Sequence, residues 1–580
     1  MPNVGQRVTI SAPFSQPIAM TRRPLALLFL LSACSSQEPA DLVLTNGVVH
    51  TLDAKAPDAQ AIAVKGDKIL FVGSSEAVKR YQGSATNVVD LGGAVVFPGM
   101  ADSHYHLSGV GEREMMLNLE GTTTKEAFLA KVKERVDRAK PGEWVVGRGW
   151  IETFWTPPVF PTRQDLDKIA PNNPVFLTRA DGHASVVNTK ALAAAGVTKA
   201  TKAPTGGALN KDAKGELTGM LIDHAQGLVG GVLPGSTPAD LDSAVVIGAR
   251  RSVELGWTQI QDAGGPWDDV VRMRRLYGDG KLKLRIYKAV HGPGPAADSL
   301  LAHGASIDEF GGRFTLRTIK VVADGALGSR GALLLAPYSD DATTTGLLTT
   351  DTTALRPMLI RALEKGIQVE THAIGDRANR LVLDFYEAAF NAVPRGEKRP
   401  VKEPRFRIEH AQIVDPADIP RFKQLEVIPS MQPSHAIGDL YFAPSRLGAA
   451  RLAGAYAWQS FTKLGLPVAG GSDAPVERGE PMIEYYAAVA RRDIRGNAGP
   501  DSLWHPEQKL SREEAMKLFT TNAAYAAFQE NQRGSITPGK WADFTILDQD
   551  ILKVPDADIL KTKTVMTVIG GEIVYRAPGR

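Results

Sequence analysis

The sequence predicts an α/β protein built around a TIM (β/α)8 barrel. In the central part of the 580-residue chain, short strand-like runs alternate with helical segments, which is typical of a parallel sheet covered by helices. We count eight such runs, and eight strands fit a closed barrel better than an open sheet. Five of the eight end in a residue type that can bind a metal, and TIM barrels carry their active sites at the carboxyl ends of the strands.

Each predicted barrel strand is a short run rich in aliphatic residues. The eight are Val95–His106, Trp257–Ala263, Leu282–Val290, Leu316–Asp324, Ile367–His372, Phe406–His410, Val427–Gln432 and Leu466–Asp473. The barrel is expected over residues 98–533, with an insertion after its first strand at about residues 109–250.

Both ends of the chain are rich in short β-type runs that glycines separate. Residues 41–97 contain several of them, and residues 534–580 repeat the same style. We therefore predict a small composite β-sandwich built from both termini. Two independent hairpin caps are the alternative.

The insertion contains several aromatic residues and the segment that ends in His183. Aromatic side chains such as Trp150 could line a substrate pocket, and they could equally form a core of the insertion itself. We expect Trp150 and His183 to contact the substrate, and the core interpretation stays open beside it.

Residues 1–40 are expected to be a signal and a tether. A basic start at Arg22 and Arg23 precedes the apolar run Pro24–Leu31, which is too short to span a bilayer as a permanent helix. Residues 31–34, Leu-Ser-Ala-Cys, then resemble a bacterial lipoprotein signal, in which Cys34, the only cysteine, would be lipidated. A plain secretory signal and a buried apolar segment are the alternatives. We expect an exported, lipid-anchored protein of the cell envelope, with Met1 and Met20 as the two alternatives for its start site.

The charge pattern gives no sign of a nucleic-acid partner. The net charge of the chain is +3. Residues 1–33 contain three arginines and no acidic residue, so residues 34–580 have no net charge. The sequence has no basic run with interleaved aromatic residues and no glycine spacing typical of a phosphate-binding loop. The expected partner is a small-molecule substrate, and the membrane is expected to be reached only through the lipid anchor.

The first barrel strand ends in His104-Tyr105-His106. Side chains alternate between the two faces of a strand, so His104 and His106 are predicted to project the same way, together with Asp102. Two imidazoles at a strand end can bind one divalent metal, although an isolated histidine is more often a hydrogen-bonded structural residue.

Lys320 lies within the apolar run of the fourth predicted strand and is expected to face the barrel interior. Burial of a lone lysine is costly unless the lysine is paired or neutral. A neutral amine can add carbon dioxide, and the resulting carbamate can bridge two metals. The alternative is an ion pair with Asp324, four residues later on the same face.

Three later strands also end in ligand types, at His372, His410 and Asp473. Together with His104, His106 and Lys320 they complete a set that is hard to explain as coincidence. At this point the sequence resembles the amidohydrolase superfamily of metal-dependent hydrolases, in particular the amidohydrolase 3 branch that includes N-substituted formamide deformylases. The segments that carry the resemblance are Phe97–His106, Ala323–Arg330, His372–Asp376, Arg407–Gln412, Ser430–His435, Gly471–Val476 and Gly534–Asp543.

The resemblance implies a role for each residue. His104 and His106 would hold one metal with Asp473, His372 and His410 would hold a second, and carboxylated Lys320 would bridge them. A metal-bound hydroxide would be the nucleophile, Asp473 would transfer its proton to the leaving amine, and His435 would help to polarise the carbonyl. Zinc is the expected metal, with one or two ions per chain. Asp324 joins Trp150 and His183 as an expected substrate contact.

The function that these features predict is hydrolysis of a carbon–nitrogen bond in a small amide, N-acyl or N-formyl compound. Lactone or ester hydrolysis at the same site is one alternative, because the scaffold permits it. A non-catalytic metal-binding lipoprotein of the envelope is another, but it predicts missing ligands, and none is missing.

Overall fold

We describe the protein from a computed structural model, which covers residues 38–152, 155–179, 184–204, 207–499 and 504–579. The lipoprotein-like signal with Cys34 lies outside the described residues, and so does His183. Of the helices in this part of the chain, none combines the length and apolar character needed to cross a bilayer.

The centre of the molecule is a parallel sheet whose eight strands follow one another in chain order. The strands are β1 (Met100–Tyr105), β2 (Trp257–Asp262), β3 (Arg285–His291), β4 (Phe314–Val322), β5 (Gln368–Ala373), β6 (Arg407–His410), β7 (Ile428–Met431) and β8 (Ala469–Gly470). The ring closes where Asp473 N, just after β8, donates to His104 O at 2.7 Å and Ser472 N donates to the Asp102 carboxylate. The predicted TIM barrel is therefore confirmed.

The first predicted strand, Val95–His106, is in fact two strands that belong to different sheets. Val95–Pro98 lies in an outer sheet and β1 lies in the barrel, with Gly99 between them. A Cβ atom at Gly99 would lie 2.4 Å from Thr258 Oγ1, so only glycine fits where the chain passes between the sheets. Sequence alternation alone does not reveal this break.

Helices alternate with the barrel strands along the chain. They are Leu107–Met115, Pro238–Leu255, Trp267–Gly278, Pro295–His303, Glu309–Gly312, Thr352–Lys365, Asp376–Ala392, Ile419–Leu425, Pro433–Asp439, Ala443–Leu447, Trp458–Lys463, Pro481–Ala490, Arg512–Leu518, Thr521–Ala526 and Asp556–Ile559. The longest, Pro238–Leu255, begins with a capping box between Thr237 and Asp240 and ends at Gly256, whose φ is +106°. Apolar side chains between strands and helices form one continuous core.

Two further sheets are built from the ends of the chain. One contains Lys68–Gly73, Ala61–Lys65, Leu42–Thr45 and Asn87–Asp90, and the other contains Glu572–Arg576, Thr564–Ile569, Phe544–Leu547, Val95–Pro98, Val48–His50 and Asp58–Ala59. Phe544–Leu547 pairs antiparallel with Val95–Pro98, and both sheets share one apolar core. The second sheet thus joins both termini, as the sequence predicted, while the domain boundaries stay predictions.

The insertion after β1 forms its own six-stranded sheet. Its strands, in spatial order, are Gly207–Lys211, Leu217–Asp223, Ala184–Val187, Val175–Arg179, Val145–Trp150 and Leu117–Asn118. The helices Lys125–Arg138, Arg163–Ile169, Thr189–Ala194 and Gly227–Gly230 accompany it. Short 3-10 turns at Ala77–Tyr81, His224–Gln226, Ala449–Gly454 and Pro506–Gln508 and the strand Ser306–Asp308 complete the regular structure of the described residues.

Candidate active site

Asp473 lies between the two histidines at the end of β1. His106 Nε2 is 3.0 Å from Asp473 Oδ1, and His104 Nε2 is 3.5 Å from the same oxygen. Since the carboxyl ends of β1 and β8 are neighbours in the closed barrel, residues far apart in sequence meet here. The predicted grouping of His104, His106 and Asp473 is therefore present in the structure.

His410 joins this group from the end of β6. One ligand atom from each of His104, His410 and Asp473 lies within 4.8 Å of the others, which is close enough for a shared metal ion. The His372 ring, from β5, packs edge-on against the His410 ring at 4.4 Å between centroids. The structure thus brings five of the predicted ligands to one end of the barrel.

Two of these residues have backbone angles that non-glycine residues rarely adopt. The φ of His410 is +70° and the φ of Asp473 is +60°. A conformation of this kind costs about 1–3 kcal/mol and persists only where the surrounding structure enforces it. Such strain is concentrated at functional sites, and here it falls on residues that the sequence singled out as ligands.

The imidazoles of His104, His372 and His410 are neutral. Burial lowers the pKa of His104 to about 4, with the nearby Lys320 ammonium adding to the shift. Burial likewise lowers the pKa of His372 to about 3 and that of His410 well below its ordinary value. A neutral imidazole has a free electron pair, which is the form that binds a metal.

The cluster also lacks the hydrogen bonds that buried polar atoms normally make. His410 Nδ1, His372 Nε2 and His435 Nε2 are buried and have no partner among the described residues. Burial alone would raise the pKa of Asp473, but the neighbouring imidazoles hold it below its usual range, so Asp473 is ionised. Buried nitrogens without a hydrogen-bond partner, beside an ionised carboxylate, fit a divalent cation.

Lys320 points into the barrel, as predicted. Its Nζ lies 3.2 Å from His104 Nε2, the residue is 4% exposed, and burial lowers the pKa of its amine. The alternative of an ion pair with Asp324 is wrong. The Asp324 carboxylate instead accepts three backbone N–H bonds, from Leu333, Ile374 and Gly375.

Asp324 therefore has a different role from the predicted substrate contact. Its side chain is buried, and its three backbone bonds tie the loop after β4 to the loop after β5. Asp324 Oδ1 also lies 3.4 Å from His372 Nε2. Asp324 fixes the loop that presents His372, and its carboxylate is not available to a substrate.

His435 occupies a position next to the cluster, near the start of the helix Pro433–Asp439. Its ring stacks on the His410 ring at 5.5 Å, and its Nε2 lies 3.5 Å from Asp473 Oδ2. This placement agrees with a role beside the reacting group, and that role itself stays a prediction.

Trp150 does not reach the site. It is fully buried, its Nε1 donates to Leu177 O at 3.0 Å, and its ring packs against Phe128 and Trp155. These contacts belong to the core of the insertion. The predicted substrate contact is wrong for Trp150, and the core interpretation holds, because an aromatic pattern does not tell which surface the rings face.

Sequence reasoning missed Arg407 and Glu409, which lie beneath the cluster. Glu409 Oε2 is 2.5 Å from His104 Nδ1, and Arg407 Nε donates to Glu409 Oε1 at 2.7 Å. Arg407 also donates to Ser103 O and Gln261 Oε1. With Nδ1 of His104 donating to Glu409, its Nε2 is left to bind a metal. Arg407 and Glu409 are two residues apart in β6, so strand alternation places both side chains on the same face. The sequence could therefore have predicted two charged side chains inside the barrel.

A cavity of about 800 Å³ opens beside Lys320, over the ends of β3 and β4. His291, Pro293, Val322, Thr349, Met358 and Arg361 are among the residues that line it. Small-molecule sites of proteins have volumes of roughly 300–1,000 Å³, so this cavity can hold a small ligand next to the cluster.

Comparisons with known proteins agree with this description. The protein YtcJ of Bacillus subtilis (strain 168) is 35% identical over 540 residues, which cover 91% of this chain and 98% of YtcJ. The N-substituted formamide deformylase of Arthrobacter pascens is 27% identical over 552 residues, which cover 93% of this chain and 99% of the deformylase.

Among solved structures, an uncharacterized metal-dependent hydrolase from Pyrococcus horikoshii OT3 matches with a TM-score of 0.69 and 27% identity, over 89% of this chain and 99% of that one. The sequence model of the amidohydrolase family matches residues 87–575, which include the insertion and the whole barrel. This chain therefore belongs to the amidohydrolase family.

Proposed function

We propose that the protein is a metal-dependent hydrolase that cleaves a carbon–nitrogen bond of a small amide, N-acyl or N-formyl compound. The observation that carries the proposal is the cluster of histidines around the ionised Asp473, in which buried nitrogens of His372 and His410 have no hydrogen-bond partner among the described residues. The likeness to N-substituted formamide deformylase, over nearly the full length of both chains, supports this bond type.

His104, His106 and Asp473 would hold one divalent ion, and His372 and His410 would hold a second. Nitrogen and oxygen ligands of this kind suit zinc. Lys320 would bridge the two ions as a carbamate, because its buried amine has a lowered pKa and lies 3.2 Å from His104 Nε2. A carbamate would also remove the problem of an unpaired lysine in the barrel interior.

When bound, a divalent cation supplies a Lewis acid that polarises a carbonyl group and lowers the pKa of water to roughly 7. Asp473 is the general base in this proposal, because its ionised carboxylate faces the centre of the cluster. It takes a proton from the attacking water and gives it to the departing nitrogen. His435, which stacks beside His410, donates a hydrogen bond to the oxygen that becomes negative.

The experiment is a substrate panel on purified, zinc-loaded protein. Matched N-formyl, N-acetyl, ester and lactone compounds should show cleavage of the amides, with the ester and lactone arms measuring the competing activity. The Asp473→Asn variant serves as the control for contaminating hydrolases. Metal-loaded protein that cleaves esters or lactones but no amide would contradict the carbon–nitrogen assignment.

We further propose that the protein is exported and anchored by a lipid on Cys34, and that its partner is a small molecule and not a nucleic acid. The support is the lipoprotein-like segment of residues 31–34. Expression with a labelled fatty acid should label the full chain and leave the Cys34→Ala variant unlabelled. Equal labelling of both, or labelling of neither with the protein retained in the cytoplasm, would contradict the anchor.

A further inference from the structure

Two acidic side chains flank the site on the side of β7 and β8. Asp439 is the last residue of the helix Pro433–Asp439, which follows β7 closely, and Glu477 lies in the loop after β8, four residues beyond Asp473. Both residues are partly exposed. Neither belongs to the proposed set of metal ligands.

The carboxylate of Asp439 is held by two donors that share one oxygen. The Tyr456 hydroxyl donates to Asp439 Oδ2 at 2.6 Å, and Gln412 Nε2 donates to the same atom at 2.9 Å. Asp439 Oδ1 has no hydrogen bond to any described residue. The Gln412 side chain adds a second acceptor, because its Oε1 is buried without a partner and the residue is only 3% exposed.

Glu477 is held in place through its backbone and not through its carboxylate. Arg113 donates to the carbonyl oxygens of Glu477 at 3.0 Å and of Arg478 at 3.2 Å, which anchors the loop. A Cβ atom at Gly438 would lie 3.5 Å from Glu477 Oε1, so this carboxylate lies directly beside the residue that precedes Asp439. Within the described ranges the Glu477 carboxylate has no hydrogen bond or ion pair.

The two acids lie near each other, and burial disfavours the negative charge of both. Burial raises the pKa of Glu477 to about 7; the nearby His435 opposes this shift, and the negative charges of Asp439 and Asp473 add to it. Burial also raises the pKa of Asp439. In the described part of the chain no lysine or arginine pairs with either acid. A positive group placed between them would therefore be favourable.

We propose that Asp439, Glu477 and Gln412 Oε1 form a subsite that binds a positively charged, hydrogen-bond-donating group of the substrate, such as an ammonium or an amidinium. The subsite would hold the amine part of the substrate, because Asp473, the residue proposed to protonate the departing nitrogen, lies on the same side. This inference rests on the proposed hydrolysis of a carbon–nitrogen bond.

The opposite side of the site has a different character. There the cavity over β3 and β4 is lined by basic, acidic and apolar side chains, and its Arg361 is paired with Asp298 at 2.8 Å. A substrate with a cationic amine part and a neutral acyl part would place the acyl part in this cavity.

The test compares two substrates of equal length, mono-N-formyl-1,3-diaminopropane and N-formylbutylamine. Only the first carries an ammonium group at its far end. We expect wild-type kcat/KM to favour the ammonium compound by tenfold or more, since a hydrogen bond to a charged group is worth about tenfold in affinity or more. Glu477→Gln and Asp439→Asn should each reduce this ratio by about tenfold.

Glu364→Gln is the matched control. It removes one negative charge from an exposed position on the helix Thr352–Lys365 and should leave the ratio unchanged. Equal wild-type kcat/KM for the two substrates, or a ratio that is the same in Glu477→Gln and Asp439→Asn as in wild type, would overturn the subsite and leave the proposed hydrolysis intact.

Binding decides the matter if neither compound is hydrolysed, which would count against the proposed function. Calorimetry of mono-N-formyl-1,3-diaminopropane and N-formylbutylamine on the zinc-loaded protein should then show stronger binding of the ammonium compound, weakened about tenfold in Glu477→Gln. Absence of binding, or equal binding by wild type and Glu477→Gln, would overturn the cation subsite.

Discussion

Arg407 and Glu409 at the barrel floor differ from the histidines above them in one respect, which is hydrogen bonding. Arg407 donates to Glu409, Ser103, Gln261 and Ser430, and both carboxylate oxygens of Glu409 are used. Above them, His410 Nδ1, His372 Nε2 and His435 Nε2 are buried without a hydrogen-bond partner in the described part of the chain.

The difference in hydrogen bonding distinguishes groups that support the structure from groups that are available to bind a ligand. A buried polar group without a partner costs about 1–3 kcal/mol, so a fold keeps several of them together only where something binds. The floor residues stabilise the barrel and orient His104, and the rim residues are those that we propose to hold metal. Each of the following predictions tests one side of this comparison.

The largest effect is expected at the rim, for Asp473→Asn. The amide keeps the size of the side chain but cannot act as a base, so kcat should fall by roughly 10³-fold or more. The measurement is steady-state hydrolysis of the best N-formyl or N-acyl substrate, with thermal unfolding as the control for folding. Activity within tenfold of wild type would exclude Asp473 as the proton carrier.

Arg407→Leu should act on stability first. It leaves the buried Glu409 without its guanidinium partner, and loss of one member of a buried ion pair costs about 3–5 kcal/mol. Urea unfolding of the metal-free protein should show this loss. A change below about 1 kcal/mol would mean that the floor does not depend on this pair.

Glu409→Gln joins the two regions, because it changes the floor residue that touches a rim histidine. The amide is nearly the same size but is a weaker acceptor for His104 Nδ1–H, so affinity for the metal should fall by about 10–100-fold. Competition with a chelator measures this affinity. Glu370→Gln is the matched control, because it changes another buried acid, on β5, that also lies near Arg407, at 3.7 Å. It should change the affinity much less, since the carboxylate bonded to His104 Nδ1 is that of Glu409.

Trp150→Phe should have the smallest effect. It removes the hydrogen bond to Leu177 O and some packing in the insertion, at a cost of about 1–2 kcal/mol. Because Trp150 lies in the core of the insertion, kcat/KM of the folded protein should stay within twofold of wild type for every substrate. A change in KM that differs between substrates would mean that Trp150 contacts the substrate and would contradict its assignment to the core of the insertion.

The sequence was informative wherever local periodicity determines the structure. Aliphatic runs located the eight barrel strands, and their ends identified His104, His410 and Asp473, because strand ends of a parallel barrel meet. The inward direction of Lys320 also followed from alternation.

Contacts between distant segments could not be predicted in the same way. Asp324 was expected near Lys320 or the substrate, yet its partners are amides that become neighbours only when the β4 and β5 loops fold together. Glu409 lies 305 residues from His104, and no local pattern indicates that they meet. The break at Gly99 depends on Thr258 in another strand.

The most direct measurement of the proposed centre is metal content per chain, on the purified protein and on Lys320→Ala. We expect two equivalents of divalent metal in wild type, falling to one or none in Lys320→Ala, with loss of amide hydrolysis. One equivalent in wild type that Lys320→Ala leaves unchanged would contradict the bridging carbamate and leave a single-metal site led by Asp473.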